Sequence, residues 1–226
     1  MMLRLLTSGR SCFVGLTLAA VLLLPGCADR NTVSAKLEFG RADLEFQERQ
    51  AMVAVTMPGY GENWKTGAPM LPVSACHLVI PPGAVFEDIV IRRCESEVVA
   101  GEFDILPVQA TEPVSSSGSP KVTPPDPRYY GIPLYPENVV WFARQSVMSG
   151  YNIVSVFVAP LQYEAAEKRL VFHPLVEFSV RFEQGHAGSS APSGGDTQEK
   201  EQVEEGLARI VSNPEDLGRF APGSGD

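Results

Sequence analysis

The chain predicts an all-β fold, an antiparallel β-sandwich, and three observations carry that expectation. Between Arg169 and Glu183 the even positions Leu170, Phe172, Val176, Phe178, Val180 and Phe182 are apolar, while Arg169, His173, Glu177, Ser179, Arg181 and Glu183 occupy odd positions. Alternation with a period of two marks a strand with one buried and one wetted face. Proline (19) and glycine (20) are plentiful among the 226 residues, as short strands joined by many turns require. About eight strand-like runs follow one another with turn residues between them, and no long helix-period apolar stretch interrupts the middle of the chain.

The chain opens with an export signal. Arg4 and Arg10 give a positive start, and Cys12 to Leu24 is apolar and uncharged, too short for a membrane span. Residues 1–26 are therefore read as a signal peptide. The ending Leu24-Pro25-Gly26-Cys27 resembles a bacterial lipoprotein box, which implies that Cys27 is lipidated and becomes the mature N-terminus. Acyl chains contribute roughly 0.8 kcal/mol per buried CH2, enough to hold the protein on a membrane. Ala28, in place of aspartate after the cysteine, leans the sorting pattern towards the outer membrane. Residues 27–35 form the anchored N-terminal segment.

Removing residues 1–26 takes away two arginines and no acid, so the net charge moves from −9 to −11. Residues 183–226 hold nine acidic and three basic side chains, more than half of the excess. No basic patch is visible, which disfavours a nucleic-acid partner.

Cys76 and Cys94 remain as the two cysteines of the exported body, where oxidising surroundings permit a disulfide. They lie in two strand-like runs on either side of the turn Pro81-Pro82-Gly83-Ala84. A hairpin centred there sets one opposite the other, so a Cys76–Cys94 disulfide is expected, stabilising by roughly 3 kcal/mol. The rival reading, a metal ligand or catalytic thiol, is short of ligands: two cysteines and the adjacent His77 do not make a four-ligand set. Neighbouring strand residues also point to opposite faces.

In chain order, Ala35, Leu37, Phe39 and then Leu44, Phe46 suggest a strand broken near Gly40, and Ala51 to Thr56 a second. Met57 to Pro69 is a turn-rich loop. Leu71-Pro72-Val73 and the run His77 to Ile80 come before the Pro-Pro-Gly turn, Val85 to Arg93 alternates partly after it, and Val98 to Val108 reads as another strand. Thr111 to Tyr135 changes character, with Ser115-Ser116-Ser117-Gly118-Ser119 followed by Pro120, Pro124, Pro125, Pro127 and Pro133. Loops of that length inside a compact domain are commonly functional or disordered. Val139 to Val147 resumes the sheet pattern. Ile153 to Val158, apolar on both faces, reads as a strand covered on both sides. It is expected to form a long hairpin with the alternating run, joined through Gln162 to Lys168, at the centre of the sheet. Residues 184–196 are a Gly/Ser linker by composition. Residues 197–226 carry a short acidic helix, with Val203, Leu207, Ile210 and Val211 at helical spacing and Thr197 as its cap, and a soft tail.

Several short motifs recur in a familiar order: Gly67-Ala68-Pro69-Met70-Leu71-Pro72-Val73, Ile80-Pro81-Pro82-Gly83-Ala84, Leu106-Pro107, Tyr135-Pro136, and Ala159-Pro160-Leu161-Gln162-Tyr163 followed by Lys168-Arg169-Leu170. Together they resemble the propeptide of gingipain-type cysteine peptidases, over residues 36–183. The resemblance implies a β-sandwich that assists the folding of a cysteine peptidase domain and holds it inactive. It also implies inhibition by substrate mimicry, with a basic side chain from a loop in the specificity pocket. Lys121 and Arg128, in the proline-rich loop, are the candidates. Proline restricts the free loop, so presenting such a side chain loses less entropy. The peptidase domain that follows such a propeptide is not seen before Asp226.

An enzyme of its own is not expected. Cys76 and His77 are adjacent and cannot form a dyad with each other, His173 sits on the polar face of the alternating run, and His186 is in the linker. No nucleophile elbow, zinc-peptidase helix, phosphate loop or dinucleotide motif appears, so no cofactor is implied. The expected function is an exported lipoprotein that binds a cysteine peptidase, in the cell envelope with membrane contact through Cys27, or extracellular. The alternative is an envelope adhesion or assembly module of the same fold.

Overall fold

The computed structural model describes residues 31–111, 122–185 and 197–222, the last without the side chains of 197–199. Cys12, Cys27, Lys121 and His186 lie outside the described residues, as does the side chain of Thr197. The protein is an antiparallel β-sandwich. In chain order the strands are β1 (Thr32–Glu38), β2 (Glu45–Arg49), β3 (Met52–Thr56), β4 (Gly61–Glu62), β5 (Pro72–Ile80), β6 (Val85–Cys94) and β7 (Glu97–Val99). A one-turn helix, α1 (Pro127–Tyr130), precedes β8 (Val140–Met148), β9 (Tyr151–Val158), β10 (Leu161–Glu164), β11 (Arg169–Phe172) and β12 (Leu175–Glu183). Helix α2 (Thr197–Ala208) follows.

Two sheets make the layers. One runs β1-β12-β6 and the other β4-β5-β9-β8. They stack with β1 against β5 and β6 against β8. The alternation seen in the sequence is realised in β12: Val176, Phe178, Val180 and Phe182 are buried, while Glu183 is exposed. Burying each such side chain contributes about 1.5–3 kcal/mol. All of β9 except the half-buried Phe157 is buried, as a strand covered on both sides should be. Helix α2 supplies part of that cover: Tyr151 donates to Glu204 at 2.7 Å, and Leu207 joins the core with Val211 and Phe220.

The central hairpin differs from expectation. β9 and β12 belong to different sheets, and between them β10 and β11 pair as a hairpin, in a small sheet with β7. The chain leaves one layer at Ala159-Pro160 and enters the other at His173-Pro174. Proline has no amide hydrogen to continue a ladder, so both breaks fall where pairing must stop.

The Cys76–Cys94 disulfide is likewise corrected. Both thiols are free, Cys76 in one layer and Cys94 in the other. Pro81-Pro82-Gly83-Ala84 is a crossover between sheets instead of a hairpin turn: β5 pairs with β9, and β6 pairs with β12. Cys76 bonds to Ser212 Oγ at 3.1 Å, and burial pushes its thiol up to about 11. The expected strand at Val98–Val108 is also divided. After β7 the chain returns as single bridges, Ile105 beside Val53 and Pro107 beside Pro69.

The sheet edges are managed locally. β6 and β8 are edge strands and both carry bulges, with Arg92 and Ala143 unpaired at two of them. β5 is the third case. Beyond β4 its free edge at His77 and Val79 is covered by Ser212 and Asn213 from the segment after α2.

Candidate protein interface

Four of the motifs that are scattered in sequence meet in one knot of backbone hydrogen bonds, and the Pro81-Pro82-Gly83-Ala84 turn stands apart from it, bonded to Asn152 and Gln145. Gly67 N donates to Val108 O at 2.9 Å, Val108 N to Ala68 O at 2.8 Å and Met70 N to Leu106 O at 2.8 Å. Tyr135 and Tyr163 exchange backbone hydrogen bonds of 2.9 and 2.7 Å, and Gln162 Nε2 donates to Pro136 O at 2.7 Å. Two phenols add to the same knot: Tyr130 donates to Ile105 O at 2.6 Å and Tyr163 to Phe103 O at 2.7 Å. Burial holds the Tyr130 phenol well above its usual range. Irregular backbone inside a core needs its polar groups paired, and these contacts pair them.

This knot anchors the proline-rich loop. At its base Ala110 N donates to Thr123 Oγ1 and Thr123 N to Gln109 Oε1, both at 2.9 Å. Asp126 N then donates to Gly67 O at 2.9 Å. Gly67 has φ +82°, and a Cβ there would lie 3.0 Å from Asp126 Cβ, so glycine meets both a left-handed turn and a close approach. Asp126 caps α1 by accepting from Arg128 N at 2.9 Å, with Pro127 at the first helical position.

Arg128, one of the two loop cations, stands at the rim of a groove. Its guanidinium binds the Asp126 carboxylate at 2.6 Å, yet 79% of the side chain is exposed. Hydrogen bonding from Arg128 holds the Asp126 carboxyl below its ordinary value. The groove has a volume of about 310 Å³ and includes Trp64, Leu71, Tyr129, Pro136 and Trp141 in its walls. Trp64 is 57% exposed, with its ring 4.7 Å from Phe157. Tryptophan, tyrosine and arginine around a largely apolar concavity, with Trp64 and Arg128 exposed and Tyr129 half-buried, form the composition that dominates protein-binding surfaces. Trp64 carries no periodic signal, since it sits in the turn-rich loop, and sequence reasoning passed over it.

Two further residues stand elsewhere. Cys94 ends β6, with its Sγ 3.4 Å from His173 Nδ1. His173, expected on a wetted face, is only 4% exposed, because the break at Pro174 turns it under Gln162 and the Glu95 carbonyl.

The complex of the RgpB pro- and mature domains of Porphyromonas gingivalis contains a chain similar to this one, with TM-score 0.62 and 16% identity. The match covers 84% of this chain and 94% of that chain. A structure bearing on the zymogenic latency of gingipain K, from the same organism, matches with TM-score 0.56 and 18% identity, over 70% of this chain and 90% of that chain. The fold is that of a gingipain pro-domain. No protein-family model and no curated protein sequence matches. Among the described residues no helix is long and apolar enough to cross a membrane.

Proposed function

We propose that this chain is an exported, lipid-anchored protein whose gingipain-pro-domain-like body binds a cysteine peptidase domain, assists its folding and holds it inactive. The observation that carries the reading is the shared fold, which spans 94% of the pro-domain chain from the RgpB complex. The exposed Arg128 beside an aromatic groove supports it, because a cation on a pinned loop suits an acidic specificity pocket. Lys121 is the second candidate for that role. Export and attachment through Cys27, at the outer membrane, rest on the signal and lipoprotein box of the sequence. The body has no catalytic duty in this reading.

The test is to titrate the full chain against a gingipain-type cysteine peptidase and follow peptide hydrolysis, with Lys121→Ala and Arg128→Ala alongside. Inhibition by the parent chain is expected, weakened at least about tenfold in the variant that loses the pocket cation. Unchanged inhibition in both variants removes the loop from the mechanism. Absence of both binding and inhibition removes the reading.

A further inference from the structure

Three side chains meet where β6, β11 and β12 come together. Cys94 is the exposed last residue of β6, His173 is buried between β11 and β12, and Gln162 is buried in β10. Gln162 donates through Nε2 to Pro136 O at 2.7 Å, so its oxygen faces His173 Nε2, 2.9 Å away. An amide oxygen only accepts, and Nε2 of the imidazole therefore carries the ring proton. Nδ1 is left with its lone pair, 3.4 Å from Cys94 Sγ and 3.1 Å from Glu95 O.

We infer that Cys94, His173 and Gln162 form a nucleophilic thiol site that exchanges with small disulfides. Cys94 Sγ attacks one sulfur of R–S–S–R while its proton passes to His173 Nδ1. The new bond is Cys94 S–S–R, and the old S–S bond breaks. The departing RS⁻ takes the proton from Nδ1 and leaves as RSH, so Cys94 is oxidised and one sulfur of the disulfide is reduced. The transient imidazolium has an acceptor at each nitrogen, Gln162 Oε1 and Glu95 O. Gln162 is a positioning residue that fixes the tautomer. Burial pushes the Cys94 thiol up and the His173 imidazole down, so both are neutral at rest and the histidine acts as a base during attack. The nearby charges are paired among themselves, Arg93 with Glu95 and Arg41 with Glu97, and His173 meets only neutral partners among the contacts described. Cys76 is buried against Ser212 and provides an internal control.

The full chain is incubated with oxidised glutathione, and adducts on the peptides holding Cys94 and Cys76 are followed by mass spectrometry. Cys94 is expected to be modified in the folded chain and Cys76 to be spared. The Cys94 rate should change less than about threefold between pH 6.5 and 8, whereas an unassisted thiol rises about tenfold per pH unit there. His173→Gln should slow the reaction about tenfold at pH 6.5 and restore the steep profile. Gln162→Ala should lower the rate without steepening the profile as far. A steep profile in the parent chain, or a rate at pH 6.5 no greater than that of a peptide thiol, overturns the inference. The parent profile requires no variant to fold.

Discussion

Asn213 and Val79 are joined by a two-point hydrogen bond: Asn213 Oδ1 accepts from Val79 N–H at 2.8 Å, and Asn213 Nδ2 donates to Val79 C=O at 2.9 Å. The carboxamide thus stands in for a neighbouring strand at the edge of β5, and it is fully buried. Ser212 N completes the seal on His77 O at 2.8 Å. Replacing Asn213 by Ala strands a buried donor and acceptor together. Urea unfolding of Asn213→Ala should show a loss of about 2–4 kcal/mol. A loss below a few tenths would mean that the segment after α2 does not hold the edge.

Gly67→Ala tests how the loop is pinned. The left-handed φ and the 3.0 Å approach to Asp126 Cβ both oppose a side chain. A destabilisation of about 1–2 kcal/mol is expected in the same denaturation assay. Peptidase inhibition should weaken with it, because the loop base that carries Arg128 loosens. Full stability together with full inhibition would count against that coupling.

The two thiols give a redox prediction. Cys76 and Cys94 occupy different layers and are both free, so among the described residues no bridge between them supports the fold. Thermal unfolding with and without dithiothreitol should coincide. A drop of several degrees on reduction would restore the disulfide.

Acid should weaken the fold in a defined window. Burial lowers the imidazoles of His173 and His77 in the folded state, chiefly by desolvation, aided at His77 by the charge of Arg144. The unfolded chain then binds more protons, so stability rises with pH. The stabilisation is complete above the unfolded value, about 6.5, and is lost as pH falls through it towards the lower folded values. Melting temperature should fall between pH 7.5 and 5, and His173→Gln should flatten part of that slope. A slope identical in parent and variant would exclude His173 as a contributor.

In the proposed function, membrane attachment rests on Cys27. Cys27→Ser should move the protein from the membrane fraction to the soluble fraction of cells and abolish palmitate labelling. Unchanged fractionation of the variant would refute the anchor.

How much was legible follows from where the physics is local. β12 and β9 could be read directly, because burial on one face or both leaves its mark on residue order. Their pairing could not: Pro160 and Pro174 stop one ladder and begin another in a different layer, and a proline says only that pairing ends. The same ambiguity misplaced Cys94, since a four-residue turn serves a hairpin and a crossover equally well. Arg128 stood out as a candidate because its loop is long and proline-rich. The aromatic groove was not, as it assembles Trp64, Tyr129 and Trp141 from three separate segments. Asn213 carried no periodic signal at all; its role depends on β5 ending one short of a neighbour.

The pairing of β1 with β12, which sets Thr32 opposite Arg181 and Glu38 opposite Leu175, has a consequence for biogenesis. As the polypeptide emerges in order, the first strand has no mate until nearly the whole body has been made. It must wait, with the apolar face of Val33 and Ala35 uncovered and its backbone unpaired, while later segments arrive. Closure over so long a span is slow and leaves the nascent chain open to wrong association. The rate at which this protein matures should therefore be governed by the arrival of its last strand.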